Sequence, residues 1–167
     1  MRGVTRPIAI LGIVLAGLCG SGPVLAAGTV EGRWELVEQQ YGDGRANQAP
    51  QEAPVWLEFS RDGEALNGSI WAGVSRSQAV AWPAHGIGED RTPVRVRQIT
   101  TTPLLDRVRA AYTVEPAAGN ETLLEVVEEY SLADDGKALE GTVTVSFVRD
   151  GKPRGSYVLH RRFERRP

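Results

Sequence analysis

The sequence predicts an all-β domain, a single antiparallel up-and-down β-barrel of about eight strands. Three observations carry this. Apolar and polar residues alternate with a period of two in one segment after another, Asp-Gly pairs punctuate those segments, and no run of twelve residues keeps helical spacing. Such alternation fits antiparallel strands with one covered face.

The first segment, "TVEGRWELVEQQ", puts Val30, Gly32, Trp34 and Leu36 on one face and Glu31, Arg33 and Glu35 on the other. "PVWLEF" aligns Val55, Leu57 and Phe59, and "ALNGSIWAGV" aligns Leu66, Gly68, Ile70 and Ala72. Less regular strands are expected over 93–101, 107–114 and 155–163. "TPLLDRVRAA" fits either a helical turn capped by Thr102, with Pro103 at its first position, or the lead-in to a strand through Val108, Ala110, Tyr112 and Val114. "LLEVVEEYSL" aligns Leu124, Val126, Tyr130 and Leu132, with Glu128 as the one charged member, and "ALEGTVTVSF" aligns Leu139, Val143, Val145 and Phe147. Gly42-Asp43-Gly44, Asp62-Gly63, Asp135-Gly136 and Asp150-Gly151 separate strand-like runs, where Asp-Gly reaches positive φ at low cost and closes tight hairpins. Segments 41–53 and 75–92 read as long loops. Eight or nine strands at this spacing make a closed barrel or a sandwich.

Two of the hairpins echo each other. Asp62–Ile70 and Asp135–Val143 are identical at five of nine positions, and each returning strand carries a glycine, Gly68 or Gly141, on its apolar face. A glycine there implies a bulge, a bend or a close backbone approach, the devices that roll a sheet up. The aspartates lack the companion acids of a calcium loop, so the echo reads as shared backbone geometry, not as a metal site.

Arg2 and Arg6 precede the eleven-residue apolar run Ile8–Leu18, and Val24-Leu25-Ala26 supplies small residues after Pro23. That is the layout of a secretory signal peptide over 1–26, cleaved after Ala26, with an apolar run too short to span a bilayer. The mature domain, 27–167, is then expected to be periplasmic or secreted and not transmembrane. Cys19, the single cysteine, leaves with the signal, which excludes disulfides, thiolate nucleophiles and cysteine-bound metals. Loss of Arg2 and Arg6 leaves 17 basic residues against 21 acidic ones, a net charge of −4. The two signs are interspersed until the tail "HRRFERRP", a balance that argues against a nucleic-acid surface.

Gly32-Arg33-Trp34, opening the first strand of an exported β domain, resembles the G-x-W signature of the lipocalins and wider calycins, and in particular the small bacterial secreted domains of that type. The resemblance implies an eight-stranded barrel plugged at one end by Trp34, with an arginine of the last strand, Arg161 or Arg162, packed across the indole. It also implies a ligand held inside.

The expected function is therefore a non-catalytic exported binding protein, a monomer without cofactor or metal, that holds a small apolar or amphipathic molecule. Trp34, Trp71, Trp82, Tyr112, Glu128 and Tyr130 are the candidate ligand-binding residues. Aromatic side chains in an all-β core are more often packing than recognition, and Glu128 either meets a polar head or an arginine inside, or sits solvated at a bulge. The alternative is an envelope protein-interaction module, an inhibitor or accessory subunit with a filled barrel and Trp56 and Trp71 turned outward. An enzyme using His85 with Glu89 or Asp90 is the least supported reading, since no second histidine stands at ligand spacing and no nucleophile motif accompanies it. The tail "RRFERRP" reads as a frayed, solvated end.

Overall fold

Each alternating segment forms a strand. The computed structural model describes residues 28–45, 53–86, 92–115 and 121–167, so the expected signal peptide, Cys19, Glu89 and Asp90 lie outside the described residues. In chain order the strands are β1 (Gly32–Tyr41), β2 (Val55–Asp62), β3 (Ala65–Ala72), β4 (Val80–Trp82), β5 (Val94–Thr101), β6 (Arg107–Val114), β7 (Thr122–Ala133), β8 (Ala138–Arg149) and β9 (Lys152–Arg166). They form one sheet in the order β4-β3-β2-β1-β9-β8-β7-β6-β5. The first and last strands pair at its centre, with Trp34 opposite Arg165 and Leu36 opposite Phe163.

The sheet curls into a half-barrel and does not close. This corrects the expected closed barrel of about eight strands, and the reason is one of parity. Every neighbouring pair is antiparallel, so chain direction reverses at each step across the sheet. With nine strands the two edges, β4 and β5, run the same way and cannot zip together as an antiparallel pair. The additional strand is β4, three residues long, inside the segment 75–92 that reads as a loop in the sequence. Segment 102–106 is a turn, with the Leu105 amide donating to the Thr102 carbonyl, and the strand reading of "TPLLDRVRAA" holds from Arg107.

The inner face carries the core: Trp34, Leu57, Phe59, Val108, Val126, Tyr130, Leu139 and Phe163 are all buried. These side chains fill the interior. Three bulges alter the simple alternation, one of them in the β8–β9 pair between Phe147 and Val148. Between Leu36 and Glu38 the β1–β9 register shifts, which leaves Val37 as the extra residue and turns Gln39 and Tyr41 inward beside Arg161 and Leu159. A second shift between Val96 and Gln98 keeps Val94, Val96 and Ile99 on the inner face of β5.

The turns follow their chemistry. Asp150-Gly151 forms the two-residue β8–β9 loop with φ of 53° and 69°, as a primed turn requires. Gly63 opens the two-residue β2–β3 loop at φ 60°. The β7–β8 connection is longer, four residues between the paired Ala133 and Ala138.

Trp34, near the start of β1, is fully buried. Its indole N–H donates to the Val30 carbonyl at 2.8 Å, and the Arg165 guanidinium lies 4.3 Å from the ring centroid. Arg165 also donates to the carbonyls of Gly136, Glu31 and Thr29 at 3.0, 3.0 and 2.6 Å. The packed arginine is thus Arg165, not Arg161 or Arg162. β9 runs on to Arg166, which pairs with Glu35 at 2.6 Å, so the C-terminal segment is bound into the sheet and is not frayed.

Candidate functional site

β7 runs without a bulge through "EVVEEY", so its alternation places Glu125 and Glu129 outside and Glu128 inside. Glu125 and Glu129 meet Arg97 and Arg107 at 3.1 and 3.6 Å on the solvent face. Glu128 is only 3% exposed. A carboxylate in that position is costly unless hydrogen-bonded, and three neutral donors converge on it. Tyr112 donates to Oε1 at 2.5 Å, while the Trp82 indole and the Tyr130 hydroxyl donate to Oε2 at 2.8 and 3.1 Å.

A charge of opposite sign completes the network at one remove. Arg161 donates from Nη1 to the Tyr130 hydroxyl at 3.2 Å and from Nε to the Gln39 side-chain oxygen at 2.6 Å. The two charges therefore meet through the Tyr130 hydroxyl. Burial, reinforced by the Glu128 charge, raises the pKa of Tyr112 and of Tyr130 well above the ordinary phenol value, which keeps both as donors. Burial opposes the Arg161 cation, but Tyr130 and Glu128 outweigh it and its pKa is raised. His85, half-buried after β4, has its pKa lowered by burial, an effect that Glu128 partly offsets and Arg161 adds to.

The phenols give the fold a defined alkaline limit. As pH rises past 10.0, the ordinary phenol value, the unfolded chain loses these protons while the folded chain holds them. Stability is therefore complete below that pH and falls above it, by about 1.4 kcal/mol per pH unit for each retained proton. Urea unfolding at about pH 9 and about pH 11 measures the fall, and Tyr112→Phe with Tyr130→Phe should make it shallower. An unchanged pH dependence in that double variant would show that the phenols titrate normally.

The cluster also spans the gap in the sheet. Trp82 belongs to edge strand β4, whereas Tyr112 and Glu128 belong to β6 and β7 beside the other edge. The Tyr112 hydroxyl further lies 3.3 Å from the Ala84 carbonyl, just past β4. Side chains thus clasp the two arms where, among the described residues, only the isolated His85–Thr92 bridge joins their backbones. The twin glycines make room for this clasp. A Cβ on Gly68 would lie 3.0 Å from Trp82 and from the Phe59 ring, and one on Gly141 would fall 2.4 Å from the Tyr130 ring and 2.1 Å from the Glu129 carbonyl oxygen. Of the bulge, the bend and the close approach, the echo "A-L-x-G" encodes the last. Each copy seats one of the two aromatic donors to Glu128 Oε2.

A cleft of about 380 Å³ runs along the seam, lined by Val80, Trp82, Ala84, Val94, Val96 and Ile99 among others, with no charged side chain in its wall among the described residues. Val96 and Ile99 remain 46% and 41% exposed although they face inward, because β5 has no neighbour on that side among the described strands.

The six candidate residues divide accordingly. Trp82, Tyr112, Glu128 and Tyr130 come together, and Trp82 also borders the cleft. Trp34 lies beneath Arg165. Trp71 is on the outer face, stacked on Trp56 with ring centroids 6.1 Å apart. Arg33 and Arg76 lie over that pair and are drawn in by Glu58, so Trp71 is only 2% exposed and is covered by its own chain. Arg161 is a member of the network that the sequence reading missed, although Tyr157, Leu159 and Phe163 alternate around it. Gln39 had no such signal, since the bulge at Val37 reverses its face. Among the described residues no group of His, Cys, Asp and Glu could hold a metal ion. No protein-family model, curated protein or solved structure matches this chain.

Proposed function

We propose that the protein is a non-catalytic, exported, lipocalin-like binding protein that takes a small apolar or amphipathic molecule at the seam between β4 and β5. The observation that carries this reading is the cleft, whose described lining is uncharged, with Val96 and Ile99 inward-facing yet accessible. Its volume of about 380 Å³ is in the range of small-molecule sites, about 300–1,000 Å³. The apolar side chains packed in the interior support a ligand lying along the seam over one at the centre of the half-barrel.

Trp82 borders the cleft and supplies a reporter. Titration with neutral probes such as decanol and retinol should quench tryptophan emission saturably at micromolar concentration, and Ile99→Asp should abolish the response. No saturable quenching, or equal quenching in Ile99→Asp, would end the proposal. N-terminal sequencing of the exported protein tests the cleavage after Ala26 on which its location rests.

The edges β4 and β5, each without a second neighbour among the described strands, favour one further reading, an envelope protein-interaction module. Since β4 and β5 run in the same direction, an extended segment of a partner lying antiparallel to both would satisfy both edges at once. Equal recovery of a defined envelope partner by wild type and Val96→Asp would count against it.

A further inference from the structure

The buried ion network is polarised with respect to the seam. Glu128 stands on the cleft side: its donors are Trp82, which borders the cleft, and Tyr112, whose hydroxyl also approaches the cleft residue Ala84. Arg161 stands on the opposite side, on β9 at the centre of the sheet, bound to Gln39 and reaching Glu128 only through Tyr130. Among the described residues, the β5 cations Arg95 and Arg97 are bound to Glu115 and Glu125 at 2.7 and 3.1 Å on the outer face. His85, with its protonation disfavoured by burial, adds no positive charge at the mouth. Among the described residues the cleft therefore has no cation in its wall, and a buried carboxylate stands behind Trp82.

From this charge complementarity we propose that the seam cleft selects small amphiphiles with a cationic head, a primary alkylammonium being the type, and rejects those headed by a carboxylate. Two effects act together. The buried carboxylate attracts a cation through a poorly screened, low-dielectric path. The Trp82 N–H is given to that same carboxylate, which pushes electron density into the indole and strengthens its attraction for a cation. A carboxylate head would meet Glu128 as a like charge, with Arg161 out of reach. The inference rests on the seam cleft being the binding site, and its test separates the two claims.

The test compares decylamine, decanol and decanoate, below their micelle concentrations, by tryptophan quenching of the full mature chain at neutral pH. Decylamine should bind about tenfold or more tightly than decanoate, with decanol between them. Glu128→Gln should collapse the amine-to-acid ratio. Should that variant fail to fold, wild type decides the matter in salt: a preference set by a buried charge persists at about 1 M salt, whereas one set by surface acids disappears. Loss of the preference in salt, or decanoate binding as tightly as decylamine, overturns the inference and leaves the cleft reading intact. Failure of all three probes to bind overturns both.

Discussion

Replacing Glu128 with alanine is expected to destabilise the protein by about 3–5 kcal/mol, the usual cost of removing one partner from a buried, hydrogen-bonded charge network. The change strands the Trp82 N–H and the Tyr112 and Tyr130 hydroxyls together, and leaves Arg161 without a counter-charge. Each orphaned buried donor would cost about 1–3 kcal/mol alone. The sum is not reached, because the Tyr112 hydroxyl can turn to the Ala84 carbonyl 3.3 Å away. Glu128→Gln keeps an acceptor oxygen and the shape of the side chain, so its cost should be smaller, about 1–3 kcal/mol. Urea unfolding followed by tryptophan emission measures both, and the alanine variant should also shift native emission to the red as Trp82 loses its clasp. A loss under about 1 kcal/mol would mean that the arms are held by apolar packing alone.

Gly141→Ala should be of similar size, about 3 kcal/mol or more, at the upper end of overpacking costs. Its Cβ would lie 2.1 Å from the Glu129 carbonyl oxygen, a backbone atom fixed in the β7–β8 ladder, and 2.4 Å from the Tyr130 ring. Relief therefore requires the ladder to part or Tyr130 to leave its place beside Glu128. Gly68→Ala meets Trp82 and Phe59 at 3.0 Å, with no backbone atom among its nearest contacts, and should cost less, about 1–2 kcal/mol. Thermal unfolding of the two variants side by side tests the ranking. The reverse order, or a Gly141→Ala variant as stable as wild type, would mean that the ring and not the backbone sets this spacing.

Period-two alternation was enough to identify the inner face of most strands, because burial on one side of a sheet writes itself directly into residue order. It placed Trp34, Leu57, Phe59, Val126, Tyr130 and Val143 correctly, and it marked Glu128 as a charge on an apolar face. What alternation cannot register is an inserted residue. Val37 and Arg97 each shift the phase, so Gln39 joined the interior unseen and Ile99 came to line the cleft. Nor could three residues of β4 stand out as a strand, and on those three residues the parity of the whole sheet depends. Tyr112, Glu128 and Tyr130 were legible as members of alternating apolar faces, whereas Trp82 lay in a segment that reads as a loop. The convergence of the four was not legible, since it arises from curvature between distant strands.

The pairing of β1 with β9 has a consequence for how the chain reaches this structure. Apart from the isolated His85–Thr92 bridge, the described residues of the ribbon β1–β4 and the ribbon β5–β9 have no ladder between them except this one, joining residues more than a hundred positions apart, such as Trp34 and Arg165. Each ribbon can assemble from local hairpins, but their union must wait for the C-terminal residues and for closure of a loop of nearly the full chain length. Folding should accordingly be slow and end-dependent, and a chain shortened before Phe163 would be left as two half-sheets with exposed margins.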